Sequence, residues 1–243
     1  MAAGSPAGSK DETDLHWKVE RLTGSAQELH DAEPDFSGRL VRVNEVVSPS
    51  LVLGSTQSPE LIDPSRARSA GVEVAKRRSG GGVVSMRPNA QCWVDVFIPS
   101  DDPLWVDDVT HSSLWIGRCW TRVAAAYGWS DTTVHTGGIS DADLSKLVCF
   151  AALGPGEVSQ GSTKLVGISQ RRTRQGAKFQ CIVYLHWDPT MILDLVDLGS
   201  AAAEVERRLT HNVAALRLLP AESLEIRVDD GWSMVECLLS HLP

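Results

Sequence analysis

Residues Arg77-Arg78-Ser79-Gly80-Gly81-Gly82 constrain this chain more than any other stretch, because they set two cations against three consecutive residues without side chains. An apolar alternating run, Val72-Glu73-Val74-Ala75, leads in, and Val83-Val84-Ser85-Met86 leads out. Three glycines admit positive φ and let backbone N–H groups approach a ligand closely. Two adjacent arginines can hold a phosphate, or the polar head of an acyl tail, through charge-assisted hydrogen bonds. The same string also suits a plain flexible hairpin between two strands. It is neither a Walker loop, which ends in Gly-Lys-Ser/Thr, nor a dinucleotide fingerprint, whose glycines are spaced.

Two further segments decide between these readings. Val52-Leu53-Gly54-Ser55-Thr56-Gln57 lies upstream, and Thr163-Lys164-Leu165-Val166-Gly167-Ile168-Ser169-Gln170-Arg171-Arg172 lies downstream. In that order the three segments resemble the lipoate–protein ligase and octanoyltransferase family, of the biotin/lipoate protein ligase catalytic domain superfamily. Its pattern runs from an apolar strand ending in Gly-x-x-Gln, through Arg-Arg-x-Gly-Gly-Gly/Arg, to Lys-x-x-Gly-x-Ala/Ser-Gln-x-Arg. The resemblance spans about residues 39 to 190. It implies an α+β fold, a mixed β-sheet with flanking helices, which the alternation of strands with few helices also suggests. The implied division is a disordered tail and poorly defined segment over 1–38, a catalytic domain over 39–198, and a helical extension of that domain over 199–243.

Composition narrows the partners. A formal charge of −8 argues against nonspecific nucleic-acid binding, which needs a basic field. No segment approaches the roughly 20 apolar residues that span a bilayer, and Met1 to Glu12 lacks the apolar core of a secretory signal. That stretch reads as a disordered tail. The cysteines, Cys92, Cys119, Cys149, Cys181 and Cys237, are odd in number and widely spaced, which fits neither a disulfide framework nor a zinc site. A cytoplasmic location and no metal follow as expectations.

Periodicity predicts strands over Arg39–Val47, Leu51–Gly54, Gln91–Ile98, Leu147–Leu153, Thr163–Ser169 and Ala177–Leu185. A short helix opens at Asp63-Pro64 and ends at Gly71. The longest helical pattern starts at Asp107-Asp108 and ends at Gly128, and amphipathic helices are expected over Ser200–Leu219 and Gly231–Leu242. Trp93, Trp105, Trp115 and Trp120 cluster around the long helix as core, with one or two available to line an acyl tunnel.

Lys164 sits among apolar neighbours on a strand. By composition it is either a strand-end lysine reaching water or a fixed cation near an acyl group. The resemblance implies the second. It places Lys164 in the acyl pocket and makes Arg77, Arg78, Ser79, Gly80, Gly81, Gly82, Gly167 and Gln170 substrate-binding. Cys149, in Val148-Cys149-Phe150, is by composition a core cysteine. One branch of the octanoyltransferases, however, carries its nucleophile in a Cys-Phe pair at this position, which implies a thioester acyl-enzyme. Arg171, Arg172, Arg174 and Lys178 form either a solvated basic loop or a docking surface for an acidic partner.

The preferred reading is transfer of an octanoyl or lipoyl group, through Cys149, onto a lysine of a lipoyl domain or glycine-cleavage H protein, with acyl carrier protein as donor and no cofactor. An ATP-dependent lipoate ligase using ATP and Mg2+ is the alternative, and a non-catalytic acyl- or carrier-binding homologue is a third. The last is motivated by two departures from the family pattern. Ser85-Met86-Arg87 stands where a histidine follows the glycine loop, and Phe179-Gln180-Cys181 stands in place of Gln-His-Gly.

Overall fold

The computed structural model describes residues 16–215 and 231–243. The chain enters a large sheet with Lys18–Gly24 (β1), turns through Ala26–Asp31 (α1), and returns as Leu40–Val46 (β2), parallel to β1. Ser50–Leu53 (β3), Pro64–Ser69 (α2), Glu73–Lys76 (β4) and Val84–Met86 (β5) build a smaller sheet in the order β4-β3-β5. Gln91–Pro99 (β6) rejoins the large sheet, and Leu114–Ala126 (α3) covers one face of it. Thr133–Val134 (β7), Ala142–Leu147 (α4), Val158–Gln160 (β8), Thr163–Arg172 (β9) and Gly176–Tyr184 (β10) complete it in the order β1-β2-β6-β10-β9-β8-β7. Thr190–Leu195 (α5), Ala202–His211 (α6) and Trp232–Leu239 (α7) follow.

The central strands explain their own position. In β6 and β10 almost every side chain is buried, so both faces of the sheet are covered. One face packs Val94, Val96, Cys181 and Val183 against Ile116, Trp120 and Val123 of α3 and Val235 and Leu238 of α7. These helix positions recur at three-to-four spacing, the stripe of a core-facing helix. The other face packs Trp93, Ile182 and Tyr184 against the smaller sheet, α1 and α5. The expected α+β architecture with a mixed sheet is the observed one.

Several expected elements differ. Leu147–Leu153 is not a strand: α4 ends at Leu147, and Cys149–Ala151 forms a single 3-10 turn. Apolar residues in a short run do not distinguish a buried turn from a buried strand. The long helix begins after Ser113, not at Asp107. Asp108 instead accepts from the Thr110 backbone N–H and pairs with His111, closing a turn ahead of the helix. Residues 13–38, read as poorly defined, contain β1 and α1, so the large sheet starts ahead of residue 39. The expected helix over Ser200–Leu219 is α6, which stops at His211, and positions 216–219 lie outside the described residues, as does the Met1–Glu12 tail.

Candidate active site

The three sequence segments interlock around one turn. Gly54 sits so close to the glycine loop that a Cβ there would lie 1.9 Å from the Gly81 carbonyl oxygen. Gln57 accepts from the Gly54 N–H at 2.9 Å and donates to the carbonyls of Lys146 and Leu147 at 2.7 and 3.1 Å. The exit of the glycine loop bonds to the same place: Val83 N–H donates to Leu147, and Cys149 N–H donates to Val83. A Cβ on Gly82 would lie 2.5 Å from the Val148 nitrogen. Cys149 is thereby held at the loop by backbone contacts from both sides.

Its half-buried side chain borders two spaces. An open cleft of about 400 Å³ is lined by Gly80, Gly81, Ser113, Ile139 and Cys149, among others. Behind it a narrow apolar slot of about 20 Å³ is lined by Val52, Met86, Trp93, Cys149, Phe150 and Ile182. Cys149 lies at the junction.

Two of the three cations expected to touch substrate are turned inward. Arg77, 4% exposed, donates to the carbonyls of Val52, Gly80 and Gly82 at 3.2, 2.7 and 2.8 Å. Burial pulls the guanidinium below its ordinary pKa, against the opposing influence of Cys149, Glu157 and Tyr184. With the loop carbonyls drawn to Arg77, the N–H groups of Gly80 and Gly81 donate to no acceptor among the described residues. Gly81 adopts φ +94°, which this geometry requires and which L side chains resist.

Lys164, 2% exposed, pairs with Glu157 at 2.6 Å and donates to the carbonyls of Cys149 and Ala152 at 2.9 and 3.0 Å. An ammonium has three donors, and all three are used. Glu157 is equally occupied, accepting from the Gly154 and Ile168 N–H groups. Lys164 therefore does not reach water, although it stands at the start of β9. It ties both ends of the Cys149 turn to β9.

Gly167 makes room for a ring, since a Cβ there would lie 2.8 Å from Phe150. Ser79 is 3% exposed. Its Oγ meets Ser169 Oγ at 3.1 Å and donates to Gln180 Oε1 at 2.9 Å. Gln170 lines the cleft, but its amide is bonded to Ser112 and to the Val109 carbonyl. Arg78 is exposed and lies 3.4 Å from Asp31.

Residues 7–226 match the lipoyl protein ligase A/B catalytic domain family, which is most of the chain. The chain belongs to that family. Among solved structures, lipoate-protein ligase A bound with ATP superposes with a TM-score of 0.67 at 15% identity, covering 93% of this chain and 84% of its own. A bipartite lipoate protein ligase from Thermoplasma acidophilum gives 0.68 at 14% identity, covering 93% and 82%. A T. acidophilum protein with bound lipoic acid gives 0.62 at 16% identity, covering 88% and 76%. These likenesses show the lipoyl ligase fold. Among curated proteins none matches the chain.

In this member of the lipoyl protein ligase A/B family the expected basic patch is dispersed. Lys178 is buried on Asp95 at 3.0 Å, with no surface to offer. Arg171 pairs with Glu33 at 2.5 Å, and Arg172 stacks on Trp105 at 3.8 Å while donating to the Asp107 carbonyl. Arg174 remains exposed. Cys181 is fully buried on the α3 face, where burial pushes its thiol well up, so it is not a second thiol of the site.

Glu157 and His30 were missed. Glu157 had a legible signal: a lone acid in an apolar, glycine-rich stretch, seven residues before a lysine in an apolar strand. For His30 the signal was Ser25-x-x-Glu28, a capping box that starts α1 and puts Ala26, Leu29 and His30 on its buried face. No helix among the described residues is long and apolar enough to cross a membrane, and no three His, Cys, Asp or Glu side chains there gather to hold a metal ion.

Proposed function

We propose that this chain is an acyltransferase of protein lipoylation, carrying an octanoyl or lipoyl group on Cys149. The observation that carries the reading is the place of Cys149, between an apolar slot that suits an acyl chain and an open cleft that suits a protein donor or acceptor. The Cys149 thiolate attacks the carbonyl carbon of a donor thioester, the donor's C–S bond breaks, and the donor thiol leaves with a proton. A neutral lysine amine of a lipoyl domain then attacks the Cys149 thioester. The amide forms, Sγ leaves, and the amine's proton passes to solvent or sulfur. Gly80 and Gly81 supply unengaged N–H groups at the cleft, the donor type that stabilises a developing oxyanion. Arg77 is a buried cation that borders the slot together with Cys149.

Lys164 acts here by position, holding the Cys149 turn, rather than by touching the acyl group.

The reading also weighs against an adenylate. Of the cations expected to hold lipoyl-adenylate, Lys164 has all three donors engaged by Glu157 and two carbonyls, and Arg77 gives three of its five to backbone carbonyls. The donor is an acyl carrier thioester and the acceptor a lipoyl domain or glycine-cleavage H protein, in the cytoplasm. To test this, labelling of a lipoyl domain is measured with octanoyl carrier alone and with ATP, Mg2+ and free lipoate. Labelling from the thioester, lost in Cys149→Ser, is expected. Labelling only with ATP, undisturbed by Cys149→Ser, contradicts the reading.

A further inference from the structure

Behind Cys149 the slot meets a side chain that no step above uses. His30, on the buried face of α1, is 3% exposed, and its ring lies on Trp93 at 4.6 Å between centroids. The Gln180 carbonyl is held by Ser79 Oγ, so the Gln180 amide N–H faces His30 Nδ1, at 3.2 Å. With Nδ1 accepting, the ring proton sits on Nε2. That N–H is buried and meets no acceptor among the described residues. Burial, with Lys178 and Arg77 nearby, drives the imidazole's pKa well below its ordinary value, so the ring is neutral. A neutral donor is thus fixed in the wall of a slot lined mainly by apolar side chains.

Its depth follows from the lining. Cys149, Ile168 and Ser169 border both cleft and slot, whereas His30, Trp93, Met86 and Gln180 border the slot alone. Strand register gives the same order. Gly167, under Phe150, pairs with Ile182, which pairs with Trp93, under His30. Two strand spacings separate the ends, roughly 10 Å. An acyl group joined to Cys149 at the mouth therefore brings its distal half, not its carbonyl, to His30.

Resting on the reading of Cys149 as acyl carrier, we propose that His30 determines specificity: its Nε2–H bonds an acceptor atom in the distal half of the acyl chain. The slot then prefers chains carrying sulfur or oxygen there over plain alkyl chains. A plain chain leaves the donor unpaired and without solvent, and sites built around such a donor reject analogues that lack the partner. Sulfur is a weak acceptor, so a keto oxygen gains more than a dithiolane.

The experiment compares octanoyl-, 6-oxo-octanoyl- and lipoyl-pantetheine as acyl donors, following the Cys149 adduct by intact mass in the wild type, His30→Phe and His30→Leu. The wild type is expected to favour the two acceptor-bearing chains by about tenfold or more in kcat/KM, and the variants to bring the ratio near one. Calorimetric titration of the Cys149→Ser protein with the three free acids reads the same preference without any acyl transfer. A preference in binding with no adduct from any donor sinks the acyl-carrier reading and leaves His30 standing. Equal rates and equal affinities in the wild type overturn the proposal, and this comparison decides even if neither variant folds.

Discussion

The two faces of the large sheet are made by the same strands and differ in kind. Toward α3 and α7 the strands present Val94, Val96, Ile98, Cys181 and Val183, which join an apolar cluster. Toward the smaller sheet, directly paired positions form a polar row across five strands: Glu20, Arg42, Asp95, Gln180 and Ser169. Asp95 there is fully buried between Lys178 and the Trp93 indole N–H. Period-two alternation puts Cys181 on one face and Gln180 on the other, so neighbours in sequence take opposite roles. The comparison teaches that buried charge, costly in itself, concentrates on the face that carries the candidate site.

Stability should break the comparison most sharply. Trp120→Ala, on the apolar face, is expected to lose about 3–5 kcal/mol by denaturant unfolding, the usual cost of a large core cavity. Lys164→Ala should lose a similar amount, about 3–5 kcal/mol, because it strands the Glu157 carboxylate. The two losses differ in how they can be repaired. Combining Lys164→Met with Glu157→Leu should recover much of the stability while acyl transfer stays low, since the Cys149 turn loses its tether. A double variant as unstable as Lys164→Ala would mean that the ion pair is not the cause.

The glycine loop comes next. Gly82→Ala forces a Cβ onto the backbone of Leu147 and Val148 and should cost about 1–3 kcal/mol. Gly80→Ala meets nothing within 4 Å and should stay within about 0.5 kcal/mol. Equal thermal shifts for the two would refute the interlock of loop and Cys149 turn.

These contrasts also mark how far the sequence was legible. Strands β2, β3, β6, β9 and β10 followed from alternating or continuous apolar runs, and the helix after Asp63 from its N-cap and proline. The Cys149 turn did not, since its apolar residues face inward without any period. The site's residues were visible as motifs, yet their partners were not. Nothing in Arg77-Arg78 says that the first arginine turns in to carbonyls while the second stays at the surface. Lys164 and Glu157 are seven residues apart and meet only because the chain reverses between β8 and β9. Long-range pairing of this sort has no periodic signature.

A smaller effect concerns pH. The native pKa of His30 is depressed, so below the ordinary value of 6.5 the unfolded chain takes up a proton that the native protein refuses. Stability should fall as pH drops below about 6.5, and His30→Phe should flatten that slope. An unchanged slope would place the titration elsewhere. Least of all, Arg174→Glu and Arg78→Ala should shift stability by no more than about 0.5 kcal/mol, being exposed. Any effect of Arg174→Glu on association with an acidic lipoyl domain should vanish at high salt.

The central claim is that Cys149 carries the acyl group, and intact mass tests it most directly. After incubation with octanoyl carrier and no ATP, the wild type should gain one octanoyl mass that hydroxylamine removes. Cys149→Ser should gain no hydroxylamine-labile mass, and Cys181→Ser should behave as the wild type. An adduct that survives Cys149→Ser, or a wild type that never acquires one while still modifying a lipoyl domain, would contradict the account.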